Sequence, residues 1–242
     1  MHTVGILGGM GPAAGADFVR LFVQACADYQ SLHGQRVCDQ GYPEHWLAQV
    51  PVPDRSLALQ EGRQGAHQPL EPMLQALGRL AALGARSVAI ACNTAHAWHA
   101  QLQARFPQME VLHMAQEVAT RLAEQGVQEA ALMATEGTYS IGLYERALQQ
   151  AGVQCHTPTV AERARIMQGI YQGVKAGNLP LAQACFGEVA QSLIARHGAI
   201  TLVLGCTEIP LGLQGWAGAA HSQCVDPAHV LAQALVQRAY AG

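Results

Sequence analysis

The stretch SVAIACNTAH, residues 87–96, is a short apolar run of small and β-branched residues that stops at Cys92, where Asn93 and Thr94 follow. Such a run, closed by a polar pair, reads as a buried strand ending in a turn. In an open α/β sheet the carboxyl edge of the strands is where ligands bind, so the thiol of Cys92 stands at a functional position. The pattern returns in ITLVLGCTEIP, residues 200–210, which delivers Cys206 and then Thr207 and Glu208. Two strand-end cysteines, each followed within two residues by Thr, point to one site built from two thiols. They lie about one small domain apart in sequence.

Working outward, the segments around these strands alternate between strand and helix patterns. Residues 3–7 read as a first strand and GGMGP, residues 8–12, as a glycine turn before a helix over residues 13–29. Such a turn lets backbone amides approach an anion, or serves packing alone. A polar, irregular stretch follows through His33, Gly34, Pro43 and His45, and then VPVPDR, residues 50–55, whose alternating prolines forbid helix and suit an extended loop. Arg55, at the end of that loop, is either a surface arginine or a guanidinium positioned to grip a carboxylate in bidentate fashion. Leu70, Met73, Leu74, Leu77, Leu80 and Leu83 fall at helical intervals and Gly84 ends that helix.

The helix expected over residues 94–105 would place its free amides and positive dipole near Cys92, favouring the thiolate. Strands are expected at residues 111–114, 130–133 and 153–155. Residues 134–138, ATEGT, read as a polar glycine turn before a helix at 141–150, repeating the layout of the chain's opening. A helix over 162–174 should close at KAGN, residues 175–178, where Lys175 compensates a helix end or takes part in a site. A long helix over 181–197 leads to the Cys206 strand. A strand at 222–225 and a final helix opened by Asp226 and Pro227 complete the pattern, and both are expected to return to the first half. Alternation of this kind implies parallel sheets covered on both faces.

Composition narrows the chemistry. The chain has 242 residues, half hydrophobic and 13% charged, with a net charge of −3 and 14 basic residues scattered along it. That gives no electrostatic footprint for nucleic acid, and a small molecule is the expected partner. No apolar run approaches the ~20 residues of a membrane span, and no signal peptide precedes the first strand, so no membrane association and a cytoplasmic location are expected. The seven cysteines, at positions 26, 38, 92, 155, 185, 206 and 224, show no zinc spacing, and no metal is expected. Cys26, Cys155, Cys185 and Cys224 read as small buried hydrophobes.

VGILGGMGP, VPDR, ACNTAHA, GIYQGVKAGNL and LGCTEIP together resemble the aspartate/glutamate racemase family, and specifically its aspartate racemase branch. The resemblance spans nearly the whole chain. It implies an α/β fold of two flavodoxin-like parallel-sheet domains in pseudo-twofold arrangement with the site in the cleft between them. On this reading residues 1–113, completed by 221–242, form one domain and 114–220 the other. It also implies a homodimer, no cofactor, and a dicarboxylic amino acid as substrate. Racemisation would use Cys92 and Cys206, one thiolate removing the α-proton and the opposite thiol delivering another. Substrate contacts carried over from the resemblance are Met10, Gln49, Arg55, Asn93, Thr94, Thr135, Thr138, Lys175 and Thr207. Arg55 and Lys175 would hold the side-chain carboxylate, and Gln49 stands near where the family often has asparagines. Glu208 would orient or deprotonate Cys206, and His96 would act comparably near Cys92 or lie on a helix surface. Glutamate, broad-specificity and hydantoin racemases, maleate isomerase and a non-catalytic amino-acid-binding relative share this pattern.

Overall fold

A computed structural model describes residues 1–62, 68–216, 218 and 223–241. The chain divides into two compact units, one of Met1–Glu117 with Ala228–Gly242, the other of Val118–Pro227.

The first unit is built on four parallel strands, β1 (Val4–Gly8), β2 (His45–Gln49), β3 (Ser87–Ile90) and β4 (Glu110–Val111), in the order β2-β1-β3-β4. Its helices are α1 (Pro12–Leu32), α2 (Arg55–Glu61), α3 (Leu70–Ala82), α4 (His99–Arg105) and α5 (Met114–Glu124), the last of which runs past Glu117. The central strands are buried on both faces, which is why they read as continuous apolar runs. The two-residue strand period sorts their side chains. Val4, Ile6, Ala89 and Ala91 pack with Phe18 and Phe22 of α1, while Leu7, Val88, Ile90 and Cys92 pack with Met73, Leu77 and Leu80 of α3 and Leu102 of α4.

The second unit repeats this plan with β5 (Glu129–Ala134), β6 (Gln154–His156), β7 (Thr201–Gly205) and β8 (Cys224–Val225), parallel and ordered β6-β5-β7-β8. Its remaining helices are α6 (Glu136–Ser140), α7 (Leu143–Gln150), α8 (Val160–Gln168), α9 (Leu179–His197) and α10 (Glu208–Gly212). Leu202, Leu204 and Cys206 of this sheet pack with Ile166 of α8 and with Phe186 and Val189 of α9. In both sheets the strand order reverses between the first and third strands of the set. That reversal makes the carboxyl edge between β1 and β3, and between β5 and β7, the topological switch point of each sheet.

Several expectations need correction. The chain's last strand does not join the first sheet: Cys224 and Val225 pair with Leu202 and Val203 of β7. Residue 222, expected to open that strand, lies outside the described residues. The final helix, α11 (Pro227–Tyr240), does return, and its Leu231 and Leu235 pack with α1. Tyr240 donates to the carbonyl of Gly41 at 2.6 Å, and the His2 amide to that of Ala239 at 2.7 Å. Strand β2 falls in the stretch read as irregular, and Arg55 opens a short helix, capped by the Asp54 carboxylate on the Leu57 amide. Residues 136–140 are helical rather than a glycine turn. Cys26 and Cys185 are buried as expected, Cys155 only partly, and Cys224 is exposed.

Candidate active site

On the first sheet, Gly8 pairs in register with Gln49, and Leu7 with Ile90. The turns after these three strands therefore leave the sheet side by side. Gly9 has φ +91°, and a Cβ there would overlap the backbone of Val50. Only glycine lets the first turn lie against the loop that follows β2. The side chain of Met10 is buried among the α3 face of the core, so this residue offers its main chain to the edge. Its carbonyl accepts a hydrogen bond from Arg55 Nη2 at 2.6 Å. Arg55 Nη1 donates to the carbonyls of Val52 and Pro53 at 3.2 and 3.1 Å, so the guanidinium laces the proline loop to the glycine turn. Gln49 donates to the carbonyl of Pro12 at 2.9 Å, and its amide lies over Gly8 and Gly15, where any Cβ would strike it. It braces the start of α1.

Cys92, Asn93 and Thr94 are buried, and the chain passes through a 3₁₀ segment, Thr94–Trp98, before α4. The helix expected over 94–105 is thus split, and the amides nearest Cys92 belong to 3₁₀ turns. His96 is fully buried, not on a helix surface. Its Nδ1 meets the carbonyls of Cys92 at 2.9 Å and Asn93 at 3.2 Å, and its Nε2 accepts the amide of Met114 at 3.1 Å. Two carbonyls on one nitrogen and an amide donor on the other fix a neutral Nδ1–H imidazole. Burial, with His113 and His99 beside it, pushes its pKa down to about 3. His96 therefore stays uncharged near neutrality, its one N–H held by the main chain. It ties the Cys92 turn to the first residue of α5.

On the second sheet, Ala134 pairs with Gly205, which puts Thr135 and Cys206 side by side beyond the last paired residues. The Thr135 hydroxyl accepts the Thr138 amide at 3.2 Å and lies 3.0 Å from the Thr138 hydroxyl, capping α6. Tyr139 braces the same turn, accepting the Ala134 amide and donating to the Leu132 carbonyl, both at 2.9 Å. Burial raises its pKa far above the ordinary phenol value, so it acts as a neutral strut.

Glu208 is the hub of this edge. Its Oε2 accepts the Cys206 thiol and the Thr207 hydroxyl, each at 3.0 Å, and its Oε1 faces the Lys175 ammonium at 3.4 Å. Lys175 arrives from 33 residues upstream because of the packing of GIYQG. After α8 the chain widens into a π-helical segment, Gly169–Gly173, followed by a 3₁₀ turn, Val174–Ala176. A Cβ on Gly169 would crowd Phe186, and one on Gly173 would crowd Ala182, so these glycines, four apart, seat the segment on α9. Gly177, at φ +74°, then turns the chain away.

With both edges assembled, the sequence can be set beside known proteins. A family profile described as Asp/Glu/Hydantoin racemase matches residues 7–235. The chain belongs to this family. It is 24% identical over 212 residues to the broad specificity amino-acid racemase RacX of Bacillus subtilis, covering 85% of each chain. Among solved structures it is similar to the aspartate racemase of Picrophilus torridus, with a TM-score of 0.78, 25% identity, and coverage of 99% of this chain and 94% of that one. It shares the fold of a glutamate racemase from Francisella tularensis, solved in complex with D-glutamate, with a TM-score of 0.63, 14% identity, and coverage of 98% and 80%. The two-unit α/β architecture is that of these racemases.

Within this racemase-family chain, each unit gathers its own share of the residues singled out from sequence. Met10, Gln49, Arg55, Cys92, Asn93, Thr94 and His96 cluster at the carboxyl edge of the first sheet. Thr135, Thr138, Lys175, Cys206, Thr207 and Glu208 cluster at that of the second. The bracing roles of Gln49, His96 and Tyr139 were hidden from sequence. The four-residue step from Cys92 to His96 was the one available hint, because a helical His reaches back to the carbonyl four residues earlier, as His33 does to Tyr29. Among the described residues no group of three or more His, Cys, Asp or Glu is arranged to hold a metal ion, and no helix is long and apolar enough to cross a membrane.

Proposed function

We propose that this protein is a cofactor-independent racemase of a short dicarboxylic amino acid, aspartate first among them, in which Cys92 and Cys206 exchange protons at the α-carbon. The observation that carries the reading is the equivalence of the two cysteines. Each follows the third strand of a four-stranded parallel sheet, and the two sheets have the same strand order. The thiolate of one cysteine takes the α-proton, so an S–H bond forms as the C–H bond breaks. The thiol of the other returns a proton to the opposite face of the planar carbanion. Protons balance, and no oxidant or reductant is consumed. Negative charge that develops on the substrate's carboxylate side calls for fixed donors. Asn93, Thr94, Thr135, Thr138 and Thr207 are the groups assigned to it, alongside main-chain amides of the Met10 turn.

The preference for a dicarboxylate rests on Arg55 and Lys175, two cationic side chains at the carboxyl edges of their sheets. RacX, named for broad specificity, supports a wider substrate range as the second reading. The deciding experiment incubates purified protein with L-aspartate in deuterated water and follows the α-proton by NMR. Loss of the α-proton signal with appearance of D-aspartate is expected. Exchange confined to glutamate would move the substrate assignment, and binding of either amino acid without exchange would replace the enzyme with an amino-acid-binding protein. A homodimer and a cytoplasmic location remain part of the proposal, checked by light scattering and by cell fractionation.

A further inference from the structure

The two-base reaction needs its thiols in opposite protonation states, and their surroundings are not alike. The Cys206 thiol donates to the Glu208 carboxylate at 3.0 Å, and Glu208 is itself buried. An anion at that distance opposes a second negative charge on the sulfur, and a hydrogen bond accepted from the S–H stabilises the protonated form. Thr207 donates to the same carboxylate oxygen, and Lys175 faces the other, so the carboxylate is held as an acceptor. Tyr144 of α7 also faces Cys206, but burial and the nearby Asp226 keep its phenol protonated and uncharged. At the other cysteine, the titratable group on the same turn is His96, neutral and engaged with the main chain, and the same sheet edge carries the Arg55 guanidinium, a cation.

We infer that Glu208 is a positioning residue that keeps a proton on Cys206 in the resting enzyme, so that Cys206 is the acid and Cys92 the base that an incoming substrate meets. The inference rests on the two-thiol function proposed above and deepens it. Pairs of acid–base groups whose environments pull them apart divide the roles between them. Turnover in one direction moves the proton from Cys206 to the substrate and that of the substrate to Cys92, leaving a Cys206 thiolate against the Glu208 carboxylate. That pair of adjacent anions favours the return to the resting state, in which Cys206 takes a proton from solvent and Cys92 releases one to it. Lys175 moderates the effect, since its ammonium offsets part of the carboxylate's charge.

The test measures alkylation of each cysteine by iodoacetamide across pH 6 to 10, resolved by peptide mass spectrometry, in the full-length wild type, Glu208→Gln and Lys175→Met. In the wild type Cys92 is expected to alkylate faster than Cys206 at pH 7, and the Cys206 profile to have its midpoint above the ordinary thiol value of about 8.5. Glu208→Gln should move that midpoint down by about one unit or more, speeding Cys206 alkylation at pH 7 roughly 10-fold. Lys175→Met should move it up. A midpoint that stays put or rises in Glu208→Gln, or stays put or falls in Lys175→Met, overturns the inference. If Glu208→Gln does not fold, Lys175→Met decides alone. Because alkylation needs no turnover, it separates this inference from the proposed activity, which fails only if the wild type exchanges no α-proton.

Discussion

The Cys92 edge and the Cys206 edge sit at the same place in two sheets of the same order, yet they are held by opposite chemistry. At Cys92 the support is made to main chain, with no carboxylate among these partners: an uncharged imidazole bridges two carbonyls and an amide, and a guanidinium laces two loops by their carbonyls. At Cys206 the support is ionic and made to side chains: a buried carboxylate gathers a thiol, a hydroxyl and an ammonium. A shared topology fixes where a strand-end thiol stands. The side chains of the following turn fix what surrounds it.

The severest way to break this pairing is to remove a thiol. Cys92→Ser and Cys206→Ser should each lower racemisation by about 10³-fold or more, with circular dichroism unchanged, since a hydroxyl is far less acidic than a thiol at the same position. Two-way racemisation near the wild-type rate in either variant would dissolve the equivalence of the two edges.

The next test separates architecture from chemistry. His96→Ala removes a buried imidazole and strands two carbonyls and an amide, so urea denaturation should show a loss of roughly 3 kcal/mol. Acid should act through the same residue. The folded imidazole titrates at about 3 and the unfolded one at its ordinary 6.5, so the unfolded chain binds more protons between those values. Stability present above pH 6.5 is therefore lost as pH falls toward 3, by at most about 5 kcal/mol. His96→Ala should flatten that dependence, and an unchanged slope would remove His96 from its cause.

A smaller effect belongs to specificity. Arg55→Lys keeps the positive charge but loses the planar fork, so its KM for aspartate should rise about 10-fold while that for alanine changes little. An equal change for both amino acids would leave Arg55 with only its loop-lacing role.

The outcome shows which parts of this molecule are written locally. The strands SVAI and TLVLG were legible because both faces are buried, which forces an unbroken apolar run. The strand His45–Gln49 was not, because it lies at a sheet edge where Trp46 and Leu47 are partly exposed and no alternation survives. The cysteines could be found from their strand ends, and Glu208 from its place two residues on. Lys175 could be singled out, but its partner could not. That contact depends on a π-helical segment seated on α9 through Gly169 and Gly173, a tertiary fact with no local signature. Likewise the four-residue step to His96 is compatible with a bond back to the Cys92 carbonyl, whereas the reach to Met114 required the fold.

The mildest prediction concerns the strut that carries Lys175 to its place. Thr159 and Glu162 form a reciprocal cap at the start of α8, and Glu162 also accepts from Ser192 at 2.6 Å and from Arg196 through both terminal nitrogens at 2.6 and 2.9 Å. These bonds, led by that of Arg196, hold the Glu162 carboxyl down at about 2 against the ordinary 4.5. A depressed carboxyl contributes stability that is complete above pH 4.5 and is lost as pH falls toward 2. Because Arg196 is 37% exposed, solvent screens the pair, and Glu162→Gln should cost about 1 kcal/mol. The two units should thus feel acid in different windows, the first from pH 6.5 downward through the buried His96 and the second mainly below 4.5 through Glu162, since the lowered His197 of α9 is exposed and screened. Hydrogen exchange followed by mass spectrometry at pH 7, 5.5 and 3.5 can resolve them. Protection should weaken first around the Cys92 edge and later along α8 and α9, and simultaneous loss would show that acid acts on both through some other group.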